Sequence, residues 1–238
     1  MKVSIIGCST CWTDRPTSSY CVNDTLLIDC GEGTMKYYKQ AGVDFLNIKN
    51  ILITHFHVDH TVNLIQYLSQ YAFYSDESKC KSVTIYGPKG LKVYLDKLKR
   101  ISLDLENLNW EDYFNLVEID SFKTSFKVGD LNITPYPFNH GMLKEIAYIV
   151  DDGKTKVGFS GDLNFQDVII EFLNNCNNAF LICCNMKSTN AHLGYDKYIE
   201  IQNQVTTNLY AVHCVDAVYN NEKSLGITCA KHGTIMYF

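Results

Sequence analysis

The stretch Thr54-His55-Phe56-His57-Val58-Asp59-His60 packs four metal-binding side chains into a few positions of a chain that has 7 histidines altogether. His55 and His57 share one face if the backbone is extended there. Asp59 and His60 follow at once, so the chain must turn to bring them back to the same place. Imidazoles and carboxylates together suit zinc, manganese or iron and need no thiolate. A solvated loop with this many imidazoles would repel itself on protonation, and a closed structural zinc site needs only four ligands. The chain offers more. His140, Asp162 and His213 each follow a strand-like apolar run.

The elements around these residues can be read from their periodicity. Asn50 to Thr54 is an apolar, β-branched run that reads as a buried strand, and Thr61 to Leu68 has helical spacing. The central cluster therefore belongs to a strand-to-helix loop, where rigid elements position reactive groups. Lys2 to Ile6 reads as a strand, and Tyr20–Val22 and Thr25–Asp29 as a hairpin turning at Asn23-Asp24. Asp29-Cys30-Gly31-Glu32-Gly33-Thr34 then opens a helix over Met35–Ala41, its glycines permitting a tight turn. Ser82 to Tyr86 is a strand, and Leu91 to Arg100 an amphipathic helix. Asn115 to Phe138 is strand-rich, and Glu145–Val150 pairs with Lys156–Phe159. Ser160-Gly161-Asp162 opens a helix, Ala179–Cys184 is a buried strand, and Tyr195–Val205 is a helix. Asn208–Val212 is a strand delivering His213, and two closing strands are expected over Ser224–Phe238. Strands followed by helices in both halves, with no linker or constant repeat, predict a single α/β domain over 1–238.

Bulk properties narrow the function. Hydrophobic residues at 46% and charged residues at 20% describe an ordinary globular chain. No apolar run approaches the ~20 residues of a membrane span. Met1-Lys2-Val3-Ser4-Ile5-Ile6-Gly7 moves straight into a strand without the form of a signal peptide, so a cytoplasmic location is expected. The net charge of −5, with Arg15 and Arg100 the only arginines, argues against gripping a long nucleic acid. The basic stretch from Lys79 to Arg100 reads as a solvated lysine face. The 10 cysteines, Cys8-Ser9-Thr10-Cys11 and Cys183-Cys184 among them, read as reduced structural thiols.

His55-Phe56-His57-Val58-Asp59-His60 matches the His-x-His-x-Asp-His motif, and the chain resembles the metallo-β-lactamase superfamily over nearly its whole length. That resemblance implies an αββα sandwich, two mixed sheets flanked by helices, with two divalent metal ions at the edge between the sheets. It implies zinc as the metal, with manganese or iron as alternatives. It assigns His55, His57 and His140 to the first ion, Asp59, His60 and His213 to the second, and Asp162 to both. It makes Asp29 either a partner that orients a ligand imidazole or a simple turn carboxylate. Ala191-His192-Leu193 matches a motif of the tRNase Z-like phosphodiesterase branch, in which the imidazole contacts phosphate or assists the leaving group. The competing reading of His192 is a surface histidine at a helix start. His232 receives no role.

Two departures set the chain apart from tRNA 3′-end nucleases of that branch. Only 21 residues separate His140 from Asp162, enough for a strand pair and not for the long arm such enzymes carry. Cys183-Cys184-Asn185 stands where they usually carry a glutamate that assists the histidine matched by His192. An armless, acidic member rich in tyrosine suits a small ligand such as a cyclic nucleotide, its base stacking on aromatic rings. Some small relatives of this shape hydrolyse cyclic nucleotides, including enzymes by which phages remove nucleotide alarm signals. The expected function is thus a metal-dependent phosphodiesterase acting on a cyclic nucleotide or similar phosphodiester, with Asp59 and His192 as catalytic residues. Relatives also suggest a homodimer, and adjacency suggests phosphate contacts from Lys187, Ser188 or Asn190. The alternatives are a tRNase Z-like ribonuclease, a thioester or lactone hydrolase, an iron redox enzyme, and a nucleotide-binding module without catalysis.

Overall fold

Period-two alternation within the apolar runs sorts their side chains into separate cores. The computed structural model describes residues 1–74, 83–100 and 109–238. Along the chain run β1 (Lys2–Gly7), β2 (Ser19–Val22), β3 (Leu26–Ile28), α1 (Thr34–Tyr37), β4 (Asn50–Leu52), α2 (Val58–Tyr74), β5 (Val83–Pro88) and α3 (Leu91–Arg100). There follow α4 (Trp110–Tyr113), β6 (Phe114–Ile119), β7 (Phe126–Val128), β8 (Leu131–His140), β9 (Leu143–Asp151), β10 (Lys156–Phe159) and α5 (Val168–Asn174). The chain closes with β11 (Asn178–Ile182), α6 (Tyr195–Gln202), β12 (Asn208–Val212), α7 (Asp216–Tyr219), α8 (Glu222–Leu225) and β13 (Thr234–Tyr237).

Two mixed sheets result, one ordered β13-β1-β2-β3-β4-β5-β6 and the other β12-β11-β10-β9-β8-β7. Val3, Ile5, Leu26, Ile28 and Leu52 of the first sheet meet Ile146, Tyr148, Val157, Phe159 and Phe180 of the second in a core between the sheets. The intervening residues face outward: Leu27, Ile51 and Ile85 pack against Leu64 and Leu68 of α2 and Leu91 and Leu95 of α3. On the far side Ala147, Ala179 and Leu181 pack against Phe172 of α5 and Tyr198 of α6. Burial on both faces of a strand accounts for near-continuous apolar sequence, and the layers are helix, sheet, sheet, helix. This is the expected αββα sandwich. Among the described residues no helix is long and apolar enough to cross a membrane.

Several boundaries differ from the periodicity. β4 stops at Leu52, so His55 and His57 lie beyond the strand, and α2 starts at Val58, so Asp59 and His60 occupy its first turn. The helix expected over Met35–Ala41 reduces to α1, because Gly42 takes a positive φ of 69° and Val43 N–H folds back to Tyr38 C=O. After Asp162 the chain runs irregularly to Val168 before helix α5 begins. Of the two closing strands only β13 forms; the earlier stretch is α8, ended by Gly226 at φ 67°, followed by an isolated bridge from Cys229 to Ala211. Lys79, Lys81 and Ser82, at the start of the expected lysine face and strand, lie outside the described residues.

Candidate metal centre

The parallel strands β4, β10 and β12 and the long strand β8 all end at one edge of the sandwich, and each delivers a polar residue there. Loops beyond the carboxyl ends of parallel strands are where open α/β sheets place their ligand sites. His55 and His57 follow β4, Asp59 and His60 start α2, His140 ends β8, Asp162 follows β10 and His213 follows β12. All seven residues predicted as metal ligands therefore meet at this edge. His55, His57 and His140 have ligand atoms within 4.8 Å of one another, and so do Asp59, His60, Asp162 and His213. Asp162 also groups with His140 and His192, so its carboxylate stands between the two sets.

Hydrogen bonds beneath the cluster fix which imidazole nitrogen is free. Asp29, buried after β3, accepts from Thr54 N–H at 2.9 Å, from the Thr54 hydroxyl at 2.9 Å and from His60 Nδ1–H at 2.7 Å. With the Thr54 hydroxyl donating to Asp29, its oxygen accepts from His55 Nδ1–H at 3.0 Å. One carboxylate thus braces His60 directly and His55 through a hydroxyl. His140 donates from Nδ1 to Ala191 C=O at 2.7 Å. In each case Nε2 is left as the free lone pair, the arrangement in which an outer hydrogen bond sets a ligand's tautomer and aim. Asp29 is therefore not a simple turn carboxylate.

The backbone is held in costly shapes at this edge. Asp29 and His213 both adopt left-handed conformations, at φ 55° and φ 57°, which non-glycine residues seldom take. Gly31 is required by closeness: a Cβ there would stand 2.1 Å from Asp59 C=O and 2.3 Å from Thr17 Oγ1.

The donor set fits divalent metal ions. Nε2 of His55, Nε2 of His60, Oδ1 of Asp162 and Nδ1 of His213 are buried without a hydrogen-bond partner. His57 Nδ1 and His140 Nε2 face each other at 3.1 Å. Buried polar atoms are otherwise almost always satisfied, and here the orphans converge from three separate segments.

Electrostatics agree. Burial, with the charge of His60 adding, pushes His55 well below the usual imidazole range, and burial lowers His140 as well. Burial also lowers His213, to about 4. Neutral imidazoles are the form that binds metal. Burial opposes ionisation of Asp162, yet His213 and His60 hold its carboxyl well below the usual range. Burial likewise opposes a charge on His60, but Asp162 and Asp29 hold its proton well above the usual range.

His192 approaches the cluster from the loop before α6, with Nε2 3.4 Å from Asp162 Oδ2 and its side chain about one-third exposed. It belongs to the site edge and not to a detached surface. Ser188 bonds Asp196 through both its N–H and hydroxyl, and Lys187, its side chain largely exposed, stands 4.0 Å from the same carboxylate. Asn190 C=O accepts from Asn164.

Beside Asp59 opens a cleft of 610 Å³ lined by Arg15, Lys36, Tyr37, Asn63 and Gln66 among others. Sequence reasoning did not find these residues, because nothing in their spacing marks them. It also passed over Glu145, fully buried in β9 with neither carboxylate oxygen hydrogen-bonded and 3.7 Å from His55 Nδ1. A single acid in the apolar run Glu145–Val150 was the available signal.

Residues 15–235 match the family described as Anti-Pycsar protein Apyc1. The chain belongs to that family. It is also 32% identical over 143 residues to a ribonuclease Z of Picrophilus torridus, a match covering 60% of this chain and 39% of that protein. The chain thus spans about two fifths of that relative's length. In three dimensions it resembles the metallo-β-lactamase fold protein YhfI from Bacillus subtilis, with a TM-score of 0.81 at 19% identity over 99% of this chain and 98% of the other. It also resembles Zn(2+)-bound PqqB from Methylobacterium extorquens, with a TM-score of 0.73 at 12% identity over 100% of both chains. Both likenesses establish the metallo-β-lactamase fold.

Proposed function

We propose that the protein is a metal-dependent phosphodiesterase that hydrolyses a small phosphodiester, a cyclic nucleotide above all. One observation carries the reading: two sets of metal-capable side chains share Asp162, and their buried, unpartnered atoms point into one space. Membership of a family described by anti-Pycsar activity supports a nucleotide signal as substrate, and the ribonuclease Z relative supports phosphodiester chemistry.

His55, His57 and His140 would hold one ion, Asp59, His60 and His213 a second, and Asp162 both, with zinc the best match for this donor set. Bound there, such ions supply Lewis acidity toward phosphate oxygens and a lowered pKa for a coordinated water. Asp29 keeps the His60 and His55 lone pairs aimed at that space. Asp59, on the cleft side of the cluster, orients the attacking water through its carboxylate. His192, beside the Asp162 carboxylate, delivers a proton to the departing sugar oxygen. The adjoining cleft has the volume of a small-ligand pocket. Its lining mixes Arg15 and Lys36 with the carboxylates of Asp14, Glu32 and Asp59, and the amides of Asn63 and Gln66, one helical turn apart, suit a base edge.

A ribonuclease Z-like reading is less favoured, since β9 and β10 use up the chain between His140 and Asp162 in a plain hairpin. A homodimer would cover exposed apolar side chains near the site, Trp12, Val58 and Met142, and light scattering decides it.

The test is turnover of cyclic mononucleotides and bis-p-nitrophenyl phosphate by protein of measured metal content. Wild type should cleave both, and His192→Ala should slow the cyclic nucleotide by roughly 10²–10⁴-fold. Metal-loaded protein that cleaves no phosphodiester, or a thioester faster than any phosphodiester, overturns the proposal.

A further inference from the structure

Cys184 stands at the same edge as the metal centre and has no part in the mechanism above. Its Sγ lies within 4.8 Å of ligand atoms of both His192 and His213, and these three can serve a metal ion as a group. The backbone fixes this meeting. Cys184 N–H donates to Leu193 C=O, next to His192, and Val215 N–H, two residues past His213, donates to Cys184 C=O, both at 2.9 Å. The cysteine is thus tied to the flanks of both histidines. His213 brings a side chain that is 3% exposed and a buried Nδ1 that has no hydrogen-bond partner and stands 3.3 Å from Asp162 Oδ1.

We propose that Cys184, His192 and His213 form a binding site for a soft, thiophilic divalent cation of the cadmium or mercury class. Ligand atoms around a tetrahedral ion with bonds of about 2.0–2.3 Å stand roughly 3.5 Å apart, so the three need to close by on the order of 1 Å. His192, one-third exposed on a loop, supplies the movement. Two imidazoles and a thiolate with an open fourth position suit a soft ion, whereas the carboxylate-rich neighbouring sets suit harder ones. Binding replaces the thiol proton by the cation, with one proton released to solvent for each ion bound. Because His213 serves both sets, a soft ion competes with the second metal of the centre, and it removes His192 from proton transfer. The surrounding thiols do not duplicate the site: Cys183 and Cys214 are buried in apolar packing, and Cys11 is exposed on another loop.

The test is titration of the purified, reduced, metal-loaded protein with cadmium. The readouts are ultraviolet thiolate-to-cadmium charge-transfer absorption and proton release, neither of which depends on substrate or on the proposed activity. A band that saturates at a single equivalent with one proton released, survives in Cys11→Ser and is lost in Cys184→Ser is the expected result. His192→Ala should keep the band but weaken cadmium binding at least about tenfold. A band unchanged in Cys184→Ser, or lost in Cys11→Ser, overturns the proposal. Should Cys184→Ser fold poorly by its melting curve, His192→Ala decides: unchanged cadmium affinity there refutes the site.

Discussion

The two halves of the metal centre are built in opposite ways. On the first sheet, His55, His57, Asp59 and His60 come from one short segment between β4 and α2, braced from below by Asp29 and Thr54. On the second sheet, His140, Asp162, His192 and His213 come from four separate strand ends or loops, brought together only by the order β12-β11-β10-β9-β8. The first half is local and densely hydrogen-bonded. The second depends on long-range register, while unpartnered buried atoms occur in both halves, at His55 and His60 as at Asp162 and His213. A contiguous motif can be braced by its neighbours, whereas a scattered one is held by the sheet that delivers it.

The largest effect should come from the residue that joins the halves. Asp162→Asn removes the carboxylate common to both sets and leaves the His60 and His213 nitrogens facing an amide. Loss of an outer partner costs roughly 10–100-fold in metal affinity or activity, so loss of this inner group should exceed about 100-fold. Metal content by elemental analysis should fall for both ions. Loss of one ion with the other retained would show that the halves are independent.

Asp29→Asn attacks the brace of the local half alone. The amide cannot accept from Thr54 N–H, the Thr54 hydroxyl and His60 Nδ1–H together as the carboxylate does. Metal affinity should drop roughly 10–100-fold, measured by chelator competition, with the fold intact by circular dichroism. An unchanged affinity would mean that the motif needs no support from below.

This contrast also explains how much the chain reveals before it is folded. The strands and helices were legible, because strands buried on both faces write continuous apolar runs and α2 and α3 write helical ones, whereas their αββα layering was implied by the family resemblance. The motif from His55 to His60 was legible because its ligands are adjacent. His140, Asp162 and His213 could be picked out only by a family resemblance and by their places after apolar runs. Their meeting is set by parallel pairing of β10, β11 and β12, which no local pattern encodes. Glu145 and Cys184 escaped for the same reason, and the left-handed backbone at Asp29 and His213 has no mark in residue type. The closing strand that proved to be α8 shows how weak the signal is in a short polar tail.

A smaller effect follows from closeness at the motif. Gly31→Ala would place a Cβ against Asp59 C=O and Thr17 Oγ1, which are held together by a hydrogen bond from the Thr17 hydroxyl to Asp59 C=O. Moving them should cost about 1–3 kcal/mol in denaturant unfolding. Metal binding through Asp59 and His60 should weaken before binding through His55 and His57. Equal weakening at both would dissolve the distinction between the inner and outer parts of this segment.

The smallest effect concerns Glu145, the one carboxylate of the cluster that neither binds in the proposed ligand sets nor makes a hydrogen bond. Burial, with the Asp162 charge adding to it, holds its carboxyl well above the ordinary 4.5. In the folded, metal-free chain the group therefore keeps a proton that the unfolded chain gives up above that pH. More protons are bound in the folded state, so this group lowers stability as pH rises from 4.5 toward its folded pKa. Glu145→Gln removes that dependence. Measured on chelator-treated protein, the variant should gain on wild type as pH rises through this window, by up to about 1.4 kcal/mol per pH unit. With metals bound the gain should shrink, because cations nearby favour the carboxylate and offset what burial costs it. A variant offset independent of pH and of metal would mean that Glu145 only fills space beneath His55, leaving the sheet-borne half of the centre with no electrostatic share in the local one.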